Sequence, residues 1–166
     1  MYGAEKKFNH FHQHSKGKYK MIFLRNFNED DISILKDNIF IDKSQDEIFS
    51  IIQEWRTLAF NGKYFEMFAI VDDDKIVGTI SLYQHNDDII SAGPEIFQKY
   101  RRKGYAFEAM NQAYKYAKNR GYKIATAQIR KDNIASIQLH KKLGFALDCE
   151  MINKHGNEVY IYIKPL

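Results

Sequence analysis

The chain has 166 residues, 45% of them hydrophobic and 28% charged, which fits one globular domain with a full-sized core. Its single cysteine excludes an internal disulfide, and no apolar run approaches the roughly 18–20 residues of a membrane span. The net charge of +4 resides in Met1–Lys20; residues 21–166 balance to zero, so the basic character of the whole chain does not make the domain a nucleic-acid binder.

Met1–Lys20 is polar and basic, with no hydrophobic period. Extended, His10, His12 and His14 would share one face, but no nearby carboxylate or cysteine completes a metal-ligand set. The segment reads as a basic, His-containing surface tail or extension on a domain spanning 21–166. No signal-peptide pattern opens the chain, and a reducing cytoplasm is the expected compartment.

Ile22–Phe27 reads as a first strand, after which Asn28 caps a short helix reaching about Asp37. Ser44-Gln-Asp-Glu47 is a capping box opening a helix whose Ile48, Ile51, Ile52 and Trp55 form one buried stripe, with Gly62 as its stop signal. Tyr64–Val71 and Lys75–Gln84 form a hairpin around Asp72-Asp-Asp74. A further strand covers Ile89–Phe97. Pro94 interrupts it and cannot donate to a ladder, which predicts a bulge or an unpaired stretch.

Tyr105–Arg120 is an amphipathic helix with Ala106, Ala109, Met110, Ala113 and Ala117 on one face, ended by Gly121. A strand at Ile124–Ile129, a helix at Asn133–Leu143 and a closing hairpin around His155-Gly156 complete the order. The class is mixed α/β (α+β), with helices packed on a largely antiparallel sheet. Cys149 falls in the first closing strand, where a buried structural thiol is the expectation.

Arg101-Arg102-Lys103-Gly104-Tyr105-Ala106 lies between a strand and a helix N-terminus. Glycine lets the backbone approach a ligand closely, and first-turn N–H groups have no intrahelical partners, so this turn suits a phosphate-bearing ligand. About thirty residues on comes Asn133-Ile-Ala-Ser136, followed by His140-Lys-Lys-Leu143-Gly144-Phe145. Together these segments resemble the GNAT superfamily of acyl-CoA-dependent N-acetyltransferases, including its ribosomal-protein and phosphinothricin-type branches.

The resemblance implies a sheet splayed at its centre with helices on both faces, and acetyl-CoA (coenzyme A) as donor. It implies that Arg101, Arg102, Lys103, Gly104, Tyr105 and Ala106 hold the pyrophosphate. Ile96, in the splayed strand, would face the thioester, and Asn133 and Ser136 would flank the pantetheine arm. His140 stands where many members carry a tyrosine that protonates the departing thiolate; histidine would do this from its cationic form or through a water. Glu95, one position from Ile96, is the first choice of general base, with Asp88, Glu54 and Glu66 as further carboxylates.

Residues 21–98 carry a net charge of −9 and residues 99–142 a net charge of +10. The basic segment is the one assigned to a polyanionic donor, and the acidic one points to a cationic acceptor. The expected activity is direct transfer to a primary amine of a small cationic molecule. A peptide N-terminus is the closest rival, and a non-catalytic acyl-CoA sensor is the rival from another class. No membrane or nucleic-acid partner is expected, and the chain is read as a monomer or homodimer without a metal.

Overall fold

The computed structural model describes residues 21–166, so the expected tail at 1–20 lies outside the described residues. One sheet organises the chain. Its central hairpin is β3 (Lys63–Asp72) and β4 (Lys75–Gln84), flanked on one side by β1 (Ile22–Asn26) and on the other by β5 (Ile89–Ile96). Beyond β5 come β6 (Ile124–Arg130), β8 (Glu158–Pro165) and the edge strand β7 (Ala146–Ile152). The short β2 (Ala59–Phe60) pairs only with β3.

Strand alternation sends side chains to two opposed cores. Phe68 and Ile70 of β3, Ile80 and Leu82 of β4 and Ile90 of β5 meet α3 (Tyr105–Asn119) through Ala109, Met110, Ala113 and Ala117. The alanines let the helix lie against the sheet, as their spacing predicts. On the other face Ala69, Val71 and Ile76 pack on α1 (Ile32–Asn38) and α2 (Gln45–Arg56) through Leu35, Ile48 and Ile52. Truncating a fully buried Ile or Leu of either core to alanine costs about 2–5 kcal/mol.

Local signals set the ends of these elements. The Ser44 capping box forms: Ser44 Oγ accepts from the Glu47 N–H at 3.2 Å, and the Glu47 carboxylate accepts from the Ser44 N–H at 2.7 Å. Asn28 likewise caps a single 3-10 turn, Glu29–Asp31, before α1. Gly62 does not terminate α2, which ends at Arg56; with φ +73° it turns the hairpin between β2 and β3. Cys149 is exposed rather than buried, because all of β7 is an exposed edge strand. Local desolvation and then the neighbouring Asp148 push its thiol above the ordinary range, so it is not primed as a nucleophile.

The decisive feature is where β5 meets β6. The two run parallel and pair only at Ile89↔Ile124 and Ile90↔Ala125, then diverge. Pro94 causes no bulge: the β4–β5 register is unbroken from Gly78↔Ile96 to Gln84↔Ile90. The expected unpaired stretch exists, but along the other edge of β5.

Candidate active site

Backbone phase determines what the gap between β5 and β6 offers. The His85 N–H donates to the Ile89 carbonyl at 2.8 Å, which places the odd-numbered residues of β5 in hydrogen-bonded pairs with β4. Pro94, lacking an N–H, stands in the opposite phase facing Ile80. Ala92, Pro94 and Ile96 therefore turn their main-chain polar groups toward β6, which has already diverged. Of these three only Ala92 and Ile96 bring an N–H. The Ile96 carbonyl accepts from Arg101 Nε at 3.0 Å.

A cavity of about 540 Å³ runs through this gap. Ser81, Ser91, Gly93, Thr126 and Gln128 line it on the sheet face that carries α1 and α2. Ser136 and His140 of α4 (Ile134–Lys142) line its far side. The cavity thus connects the two faces of the sheet, which only a splayed pair of strands allows.

His140 is 5% exposed, and its Nδ1 lies 2.8 Å from the Ser136 carbonyl oxygen and 3.4 Å from Ser136 Oγ. A carbonyl can only accept, so Nδ1 carries the proton and Nε2 keeps its lone pair. Nε2 has no hydrogen-bond partner. Burial holds the imidazole below its ordinary pKa, outweighing the Ser136 carbonyl, so the neutral form prevails near pH 7. The Tyr114 hydroxyl of α3 is buried nearby, against the main chain of Ala92 in β5. The Tyr114 and His140 rings both pack on Phe145, with centroids 5.5 and 5.0 Å away.

At the open end of the gap, the turn leads into α3 through Gly104 at φ +85°, with Arg102 also left-handed at φ +61°. Gly104 is the N-cap and offers no side-chain cap, so the first-turn N–H groups face outward. Arg101, Arg102 and Lys103 surround them as exposed cations. Lys103 Nζ sits 5.6 Å from the centre of the Tyr100 ring. Tyr105 is buried, and its hydroxyl hydrogen-bonds Asp72 at the end of β3, which ties this helix start to the sheet. Asn133 caps α4, its Oδ1 accepting from the Ser136 N–H at 3.1 Å.

The carboxylates fare differently. Glu95 is exposed beyond the cavity lining, and Glu54 is exposed on α2. Asp88 is bridged to Lys123 at 2.8 Å. Glu66 is buried on the α3 face, accepting from Asn26 Nδ2 at 3.0 Å, from Tyr116 at 2.9 Å and from the Tyr64 hydroxyl. No carboxylate occurs among the described lining residues. Nor do Trp55, Phe65, Phe68 or Tyr83 line this cavity; Trp55 borders a separate one of about 430 Å³ between β1, α2 and β3. The motifs did not reveal His85 and Ser91, which line the main cavity with Nε2 and Oγ 2.9 Å apart. Strand alternation from Ser81 through Tyr83 to His85 was the available signal.

Residues 27–145 match the acetyltransferase (GNAT) family. Solved structures share the fold. An acetyltransferase from Salmonella typhimurium that modifies the N-terminal serine of ribosomal protein L7/L12 aligns with TM-score 0.74 at 17% identity, covering 89% of this chain and 96% of its own. A ribosomal L7/L12 α-N-protein acetyltransferase in complex with coenzyme A gives 0.75 at 17%, covering 89% and 96%. A spermidine N-acetyltransferase chimera from Vibrio cholerae gives 0.70 at 16%, covering 87% and 95%. No curated protein matches the chain by sequence. Among the described residues no helix is long and apolar enough to cross a membrane.

Proposed function

The chain belongs to the acetyltransferase (GNAT) family, an acyl-CoA-dependent N-acetyltransferase, and from that premise we propose direct transfer to a primary amine of a small cationic acceptor. The observation that carries this reading is the cavity through the splayed strands, with the lone pair of His140 Nε2 on one side and neutral polar groups on the other. Acetyl-CoA supplies an activated acyl group as a thioester. The residues present fit it: an uncapped helix start flanked by three cations suits a pyrophosphate, and free main-chain groups of β5 suit an amide-bearing arm.

In this reading the N–H groups from Arg102 to Ala106 hold the pyrophosphate. The cations at Arg101, Arg102 and Lys103 neutralise it, while Arg101 also secures the end of β5. Ile96 offers its N–H within the gap, while the Ala92 main chain is met by the Tyr114 hydroxyl. Asn133 orders the first turn of α4, and Ser136 fixes the His140 tautomer. His140 takes up a proton at Nε2 during turnover and returns it to the departing sulfur. It does not start as the imidazolium, because burial disfavours that form. Glu95, as an exposed carboxylate, would act only through water. Holding the two reactants together supplies much of the acceleration.

The acidic balance of residues 21–98 and the fold shared with a spermidine acetyltransferase support a cationic acceptor. A peptide N-terminus is the second reading, favoured by the lack of a carboxylate among the described lining residues. Free-thiol release from acetyl-CoA, measured against polyamines, aminoglycosides, amino acids and basic peptides, decides between them. Release with polyamines or amino sugars supports the first. Release confined to peptides with a free N-terminus replaces it with the second.

A further inference from the structure

Acetylating an ammonium group at neutral pH moves two protons off nitrogen. One ends on the leaving sulfur, and one must reach bulk water. A buried shuttle suits the first and a solvent-exposed acceptor suits the second. Among the described lining residues only His85 and His140 have side chains that become protonated near neutral pH. His140 is buried at the α4 side of the gap. His85 is exposed, and lies at the end of β4 on the sheet face shared by Ser81, Ser91 and Gly93.

Resting on the transferase reading above, we propose that the His85–Ser91 pair accepts the first proton of the incoming amine. Ser91 Oγ lies 2.9 Å from His85 Nε2, closer than the 3.5 Å to its alternative acceptor, the Tyr83 carbonyl. In the tautomer that carries the ring proton on Nδ1, the serine hydroxyl donates to Nε2, and its lone pairs remain for the ammonium. As the ammonium gives its proton to Ser91 Oγ, the serine proton passes to Nε2. Serine is neutral before and after, and the imidazolium releases its proton to solvent. The second nitrogen proton leaves as the C–N bond forms and travels through His140 to sulfur as the C–S bond breaks.

The surroundings of His85 suit an acceptor. Tyr83 of β4 meets its ring edge-on at 5.3 Å, and Lys63 of β3 donates to its carbonyl oxygen at 2.6 Å. Partial desolvation, then the Lys63 charge, hold its pKa below the ordinary value, so the ring is neutral near pH 7. Glu95, the sequence-based choice, does not line the cavity.

The test measures kcat/KM across pH for the full chain, with an amine from the thiol-release panel, in wild type, His85→Ala, Ser91→Ala and Glu95→Gln. Losses of about 100-fold in His85→Ala and a smaller loss in Ser91→Ala are expected, with the acidic limb of the profile altered. Added imidazole should restore part of the His85→Ala activity, and acetyl-CoA affinity should stay unchanged. An unchanged pH profile in His85→Ala, or a comparable loss confined to Glu95→Gln, overturns the proposal. If no amine turns over in wild type, the acceptor reading fails separately. The pair is then judged by the imidazole nitrogen resonances of His85. A change in its titration on Ser91→Ala supports the pair, and no change overturns it.

Discussion

His140 Nδ1 lies 2.8 Å from the Ser136 carbonyl oxygen, one helical turn earlier on α4. The bond assigns the ring proton to Nδ1 and leaves Nε2 as an acceptor inside the gap. Replacing His140 by alanine should lower kcat about 100-fold with little change in acetyl-CoA affinity. Steady-state kinetics beside a melting-temperature titration with acetyl-CoA separate these quantities. A rise in KM alone would reduce His140 to a packing residue beside Phe145.

The same burial has a thermodynamic signature. The folded-state pKa of His140 is depressed, so below the ordinary value near 6.5 the unfolded chain binds a proton that the folded chain resists. The contribution of the neutral ring is therefore complete above that value and is lost as pH falls through the folded-state pKa. Denaturant unfolding of wild type and His140→Gln between pH 8 and 5, in buffers spanning that window as roughly given by the histidine pKa, should show a steeper loss in wild type. Parallel curves would contradict the assigned environment.

Two glycines of the central strands should separate fold from site. A Cβ on Gly78 would lie 2.3 Å from the Glu95 carbonyl oxygen, a backbone atom that yields only if β5 shifts. Gly78→Ala should cost about 1–3 kcal/mol and weaken acetyl-CoA binding, read by denaturant unfolding and ligand titration. A Cβ on Gly93 would meet only the Ser81 hydroxyl at 3.1 Å, within the cavity lining. Gly93→Ala should leave stability nearly unchanged and raise the acceptor KM.

Glu66 provides the contrast between a buried acid and a catalytic one. Its carboxylate accepts from Asn26, Tyr64 and Tyr116, and it raises the pKa of both phenols after desolvation has already done so. Glu66→Ala removes an acceptor shared by three side-chain donors and should cost about 1–3 kcal/mol. Activity per folded molecule should persist, because the group sits on the α3 face and not in the cavity. Lost activity in a stably folded variant would return Glu66 to the list of bases.

Much of the molecule was legible in the residues themselves. Periodicity located the strands and helices, the Ser44 box and the Asn133 cap marked helix starts, and the Arg101–Ala106 turn with the Asn133–Phe145 segment pointed to the family. These signals are local: each depends on contacts within a few residues, which sequence order specifies directly. Pro94 was read correctly as a missing ladder donor but not as a missing donor on one particular edge. Which edge depends on the hydrogen-bonding phase of β5 against β4.

Only the tertiary structure decided which side chains share the cavity. His85, Ser91, Thr126 and His140 come from β4–β5, β6 and α4, and strand register with the divergence of β5 from β6 brings them together. It also decided burial: Glu66 is enclosed, Glu95 and Cys149 face solvent, and buried His140 is held neutral. Sequence by itself determined the local elements and the family; long-range register and desolvation determined the chemistry each group can perform.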